Sequence, residues 1–164
     1  MDIEYLDDHQ ETISTLARWS YEEWSYLHPE KTFAEVETQI SAGCNRKQLP
    51  ITLVALGEAR PVGMISLKAN DFKARQDLSP WLAGLYVDKL HRKQGVGSRL
   101  VVALEKLAVG LGVTRLYLVT DDAEAFYSKH GWTVLERTVS HWHSVTVMEK
   151  AFTRTASVAP DSGD

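Results

Sequence analysis

Apolar positions in this chain switch between a helical period and a strand period. Ile13, Leu16, Ala17, Ser20, Trp24 and Leu27 fall on one stripe at three- and four-residue spacing. With Asp8 and Glu11 at capping-box spacing before it and Pro29 after it, this stripe predicts a first helix. Thr32 to Glu35 repeats the capping signature ahead of Phe33, Val36 and Ile40, and predicts a second, shorter helix that Gly43 terminates. The period then drops to that of strands. "PITLVAL" and "PVGMISLK", joined by "GEAR", predict a hairpin, with Gly63 marking a bulge or a close backbone approach.

Residues 69–80, "ANDFKARQDLSP", have no period and predict a loop of the length that often borders a site. "WLAGLYVD" is the next strand. A basic turn with two glycines, Arg92 to Gly97, leads into Leu100, Val101, Leu104, Leu107, Ala108 and Leu111 at helical spacing up to Gly112. "TRLYLVT" predicts another strand, a helix follows from about Asp122 to His130 with Gly131 after it, and "WTVLERTV" and "HSVTVMEK" complete the pattern. The fold class expected is α/β (α+β) with a mixed sheet, without internal repeat or linker. The stretch "TRTASVAPDSGD" loses all apolar period, so residues 1–150 are expected as one domain and 151–164 as a flexible tail.

Composition narrows the function classes without choosing one. At 164 residues the chain has the size of one domain that buries roughly two-thirds of its unfolded surface. A net charge of -4 argues against a nucleic-acid binder, which would present a strongly basic face. The single cysteine, Cys44, excludes an internal disulfide and a cysteine-based zinc site. The acidic start "MDIEYLDDHQE" lacks a basic region followed by an apolar one, and no apolar run has spanning length, so the expectation is a cytoplasmic protein with no membrane partner. His141 and His143 would share a strand face, but no third ligand accompanies them and no metal is expected.

The turn at Arg92-Lys93-Gln94-Gly95-Val96-Gly97-Ser98 carries the most chemistry. A helix start offers unpaired N–H groups and a positive dipole end, and glycine allows close approach of a phosphate, with Arg92 and Lys93 adding charge. Two nucleotide sites are excluded by spacing. A P-loop requires Lys then Ser or Thr after its second glycine, where this chain has Ser98-Arg99. A Rossmann site requires a third glycine and an early position in the chain.

Arg92-x-x-Gly95-x-Gly97, with "LYVD" before it and an amphipathic helix after it, resembles the pyrophosphate-binding motif of the GNAT superfamily of acyl-CoA-dependent N-acetyltransferases. "LYLVTDDAEAFYSKHGW" is similar to that superfamily's next strand and helix, with a tyrosine shortly before a Gly-aromatic pair. The resemblance implies a single domain with a mostly antiparallel sheet of about six or seven strands, a splayed central parallel pair and about four flanking helices.

It further implies roles. Acetyl-CoA is the co-substrate, its pantetheine arm pairing with the backbone of Leu85, Tyr86 and Val87 and its pyrophosphate cradled by Lys93 through Ser98, beside Arg92. Thr120 stands near the strand end where many members bind the arm through asparagine. Tyr127 matches the general acid, since a phenol with a pKa of about 10 stays protonated at neutral pH and can donate to a departing thiolate. Trp24 on the first helix, Asp71 in the loop and Trp81 would line the acceptor site, Trp81 standing in the slot where many members carry a glutamate base. The expected reaction is acetyl transfer to a primary amine, of a small molecule or a protein, by direct attack in a ternary complex. The alternatives are a larger acyl-CoA donor or a non-catalytic acyl-CoA-binding module, and a homodimer is left open.

Overall fold

The computed structural model describes residues 1–153. Its strands are β1 (Asp2–Tyr5), β2 (Ile51–Gly57), β3 (Arg60–Lys68), β4 (Trp81–Val87), β5 (Arg115–Thr120), β6 (Thr133–Ser140) and β7 (His143–Ala151). The helices are α1 (Ile13–Trp24), α2 (Phe33–Ser41), α3 (Val96–Gly110) and α4 (Glu124–Lys129). All seven strands form one sheet in the order β1-β2-β3-β4-β5-β7-β6, in which only β4 and β5 run parallel.

The near-continuous apolar run of β2 is explained by cover on both faces. Alternate side chains of a strand point to opposite sides, so Leu53 and Ala55 join a cluster with Leu100, Leu104 and Ala108 of α3. Val54 and Leu56 join a second cluster with Leu16 of α1, Met64 and Tyr86. The helix α3 is anchored by Val96, Leu100, Val101, Leu104 and Ala108, all at most 6% exposed. At about 1.5–3 kcal/mol for each large aliphatic side chain withdrawn from water, this face holds the helix and therefore its N-terminus rigidly against the sheet.

Several expectations change in detail. β1 escaped the sequence reading, because four residues of half-exposed edge strand leave too short a pattern. Asp8 does not cap α1: residues Leu6–Asp8 and Gln10–Thr12 form separate 3-10 turns, and Thr12 precedes the helix without a side-chain cap. Thr32 does cap α2, accepting from the Glu35 N–H at 3.2 Å. The β2–β3 turn is built on Glu58 and Ala59, both at positive φ. His141 and His143 do not share a strand face: His141 and Trp142 form the positive-φ turn between β6 and β7, and only His143 belongs to a strand. The domain also runs past residue 150, since β7 ends at Ala151 and the Phe152 N–H donates to the Thr114 carbonyl. The rest of the expected tail, residues 154–164, lies outside the described residues.

Candidate active site

The two edges of β4 differ. Toward β3 it is paired from Trp81↔Lys68 to Val87↔Gly63, with one irregularity: Gly84 and Leu85 together stand opposite Ile65. That bulge places Gly84 at φ 63°, where a residue with a Cβ is strained. Toward β5 there is one registered pair, Trp81↔Tyr117, beside a bond from the Tyr117 N–H to the Pro80 carbonyl. Beyond that rung the parallel neighbours part, and the β5-facing backbone of Leu85, Tyr86 and Val87 has no strand to pair with. Gly84 was not singled out from sequence. An isolated glycine inside "WLAGLYVD" is nonetheless the signal of a bulge.

The glycine turn opens beside this gap. Lys93 and Gly95 adopt positive φ, 63° and 84°, and Gly95 is the N-cap of α3. The Arg99 N–H donates to the Gly95 carbonyl, so the amides of Val96, Gly97 and Ser98 have no acceptor within the helix. A Cβ built on Gly95 would meet nothing within 4 Å, whereas one on Gly97 would touch Phe126 and Val87 at 3.6 and 3.7 Å. The Val96 side chain is buried in the core. Gln94 is exposed and lines a recess with Met1, Glu58 and His91. Arg92 is committed to the protein: its Nε donates to the Val87 carbonyl at 3.0 Å and its guanidinium lies over the Tyr86 ring at 5.3 Å. Ser98 is tied to α4 through a 3.0 Å contact between its Oγ and His130 Nε2.

Tyr127 projects from α4, which is fixed to α3 by a polar clamp. Lys150 Nζ donates to the His130 carbonyl and to Glu105, and Trp132 Nε1 donates to the same carboxylate at 3.0 Å. The Tyr127 ring is buried, its hydroxyl makes no hydrogen bond among the described residues, and the oxygen is not sealed from solvent. Burial pushes the phenol well above its ordinary value, and the carboxylates of Asp122 and then Asp71 push it the same way. The group is thus held protonated.

The residues expected on the acceptor side divide. Asp71 is exposed, and desolvation by the surrounding protein pushes its carboxyl up to about 6, against the pull of Lys68 and Lys31. Trp24 is half-buried, meets the Tyr86 ring edge-on at 6.3 Å and lines a recess with His28 and Lys31. Trp81 is a correction. It is fully buried, packs near Phe72 and Tyr117, and donates its Nε1–H to the Leu78 carbonyl at 2.7 Å, so its side chain has no surface to offer an acceptor. Thr120 Oγ1 accepts from the Ala123 N–H at 3.0 Å, which leaves its O–H and a second lone pair for a ligand. His141 and His143 lie edge-on to His28 and Tyr26, with ring centroids 5.6 and 5.5 Å apart.

The sequence matches the Acetyltransferase (GNAT) family over residues 13–132. Among solved structures, an aminoglycoside 6'-acetyltransferase type Ii is similar with a TM-score of 0.74 at 23% identity, over 94% of this chain and 99% of that one. An aminoglycoside 6'-N-acetyltransferase complexed with coenzyme A follows at 0.73 and 20%, over 94% and 99%. A ribosomal-protein-alanine N-acetyltransferase from Brucella melitensis gives 0.72 and 20%, over 93% and 100%. At these identities the likeness is one of fold. Among curated proteins, none matches this chain in sequence. The family match spans most of the chain and includes the parted β4–β5 pair, the glycine turn and α4: the chain belongs to the GNAT acetyltransferase family.

Proposed function

We propose that this protein transfers an acetyl group from acetyl-CoA to a primary amine by direct attack in a ternary complex. The observation that carries the reading is a convergence: the unpaired edge of β4, the open first turn of α3 and the partnerless Tyr127 hydroxyl belong to neighbouring elements. The residues present fit a pyrophosphate, since the amides of Val96, Gly97 and Ser98 are free to donate and the space at Gly95 is empty where a side chain would stand. The similar fold solved with coenzyme A supports the same donor.

Bound there, acetyl-CoA supplies the activated acyl group. The β4 backbone at Leu85 to Val87 pairs with the pantetheine arm and offers N–H groups to the thioester oxygen as charge develops on it. The acceptor's ammonium first yields one proton to water. The neutral amine nitrogen then bonds to the acyl carbon as the carbon–sulfur bond breaks, Tyr127 gives its proton to the sulfur, and the proton shed by the new amide nitrogen returns to Tyr127 through solvent. Asp71, in the 69–80 loop on the acceptor side of this reading, attracts the ammonium form of the acceptor through its carboxylate. Trp24 belongs to the same side. The similar structures include an aminoglycoside 6'-acetyltransferase and a ribosomal-protein-alanine N-acetyltransferase, and their names support an amine acceptor as a class.

The test is thiol release from acetyl-CoA and from longer acyl-CoAs across a panel of amines. Turnover with acetyl-CoA supports the proposal. Turnover only with a longer donor reassigns the acyl group, and tight acyl-CoA binding without turnover on any amine makes the protein a binding module.

A further inference from the structure

Among the described residues the Tyr127 hydroxyl makes no hydrogen bond, so the phenol is aimed only by its packing and by the backbone that carries it. That backbone is α4, six residues long and far below the length at which a helix holds itself in water. Its end closes on Tyr127. The His130 and Trp132 N–H groups both donate to the Tyr127 carbonyl, at 2.9 and 3.1 Å.

The same two residues reach α3 with their side chains. The Ser98 hydroxyl and His130 Nε2 share a 3.0 Å hydrogen bond, and Trp132 Nε1 donates to Glu105 Oε1 at 3.0 Å. Ser98 and Glu105 are spaced i, i+7 on α3, nearly two full turns, so they stand on one face of the helix about 10 Å apart along its axis. Lys150, on β7, completes the second anchor: its ammonium donates to the two Glu105 oxygens at 3.0 and 3.1 Å and to the His130 carbonyl at 2.6 Å. The Lys150 and Glu105 side chains are 23% and 13% exposed, so these charged hydrogen bonds are largely shielded from water and hold better than a surface ion pair. Two anchors on one rigid helix fix both the place and the tilt of what they hold, whereas one would leave it free to pivot. The first turn of α3 also carries the free amides, that of Ser98 among them, so the phenol and the anion cradle are tied to a single body.

We propose that His130 and Lys150 are positioning residues for Tyr127: through Ser98 and Glu105 they hold the turn after α4 to the helix that cradles the donor, and so set the distance between the phenol and the departing sulfur. A reacting group displaced by about 1 Å can lose about a hundredfold in rate. The proposal rests on Tyr127 being the acid, as in the function proposed above, and its test has one arm that needs no turnover.

In the first arm, amide hydrogen exchange read by NMR on the protein saturated with coenzyme A compares the parent with Lys150→Met and His130→Phe, which keep bulk and remove the polar contacts. The amides of residues 130 and 132 should exchange at least about tenfold faster, while those in the middle of α3 stay within about twofold. Unchanged exchange at both positions overturns the proposal. In the second arm, single-turnover transfer to the fastest amine of the panel above is measured in the same variants, with and without Tyr127→Phe. Each variant should slow transfer about tenfold where Tyr127 is present, with acetyl-CoA Kd and the acceptor's KM within about threefold of the parent. Where Tyr127 is replaced, the same changes should cost less than about twofold, because nothing is left for them to place. Lys150→Arg, which can still donate to the carbonyl and the carboxylate, should recover most of the rate. Slowing by one factor in both backgrounds, as a general support of the fold would give, or transfer at the parent rate in folded variants, overturns the proposal. A variant that melts below the assay temperature is replaced by Glu105→Gln or His130→Leu. If Tyr127→Phe alone transfers at the parent rate, or no amine of the panel is acetylated, it is the acid role that fails, and the proposal falls with it whatever the exchange arm shows.

Discussion

The two sides of the proposed cleft are made of different material. On the donor side the chemistry is backbone: the amides at the start of α3, the unpaired edge of β4 and two glycines with space beside them, Gly84 and Gly95. On the acceptor side it is side chain, contributed by α1 and the turn after it, the 69–80 loop and the end of β5. A backbone site tolerates almost any change of side chain that leaves the main chain in place, and is lost when a Cβ forces the main chain to move. The acceptor side behaves in the opposite way. One fold can therefore keep a constant donor and change acceptors residue by residue.

The sharpest test of that division is Tyr127→Phe, because it removes one atom where the two sides meet. Single-turnover kcat should fall about a hundredfold or more, with acetyl-CoA affinity nearly unchanged by calorimetry. Transfer at the parent rate would leave Tyr127 as a packed aromatic. Next is Gly95→Asp, which combines the left-handed strain of about 1–2 kcal/mol with a carboxylate in the anion cradle. Acetyl-CoA Kd should rise at least tenfold, a loss of about 1.4 kcal/mol or more, while the acceptor's KM stays within a few fold.

Asp71→Asn probes the other side. The acceptor's KM should rise by about threefold above the folded pKa, and the variant and parent should converge as acid protonates Asp71 through about 6. Stability should move the opposite way. Folding raises this carboxyl from 3.8 to about 6, so its contribution is fully stabilising below 3.8 and is lost as pH rises through about 6. Asp71→Asn should therefore melt higher than the parent near neutral pH and equally at a pH of about 3. The smallest effect belongs to Arg92→Ala. Its guanidinium is already spent on Val87 and Tyr86, so acetyl-CoA affinity should change by less than about threefold, and a larger loss would put a side-chain charge on the donor side after all.

The same division explains what was legible in the sequence. Backbone geometry leaves local signals, so Gly95 and Gly97 before an amphipathic stripe announced the donor side, and long periodic elements such as α3 were placed within a residue or two. Gly84 carried such a signal and was passed over because one glycine in seven strand residues has several meanings. The acceptor side has no local signature. Tyr26 and Asp121 are neighbours only because the turn after α1 reaches the end of β5, and nothing in either segment encodes the other. Trp81 shows the converse: its position matched a functional slot, but the strand face it occupies is the interior one, between Phe72 and Tyr117.

The single rung between Trp81 and Tyr117 has a further consequence. Amides of β4 that face the gap lack the protection a complete ladder would give, and their hydrogens should exchange with solvent deuterium far faster than those paired to β3. A ligand arm that completes the ladder would slow them one by one, from the rung toward Val87. The footprint would record how far the arm reaches along the strand, and it would do so with no acceptor present and no bond made or broken.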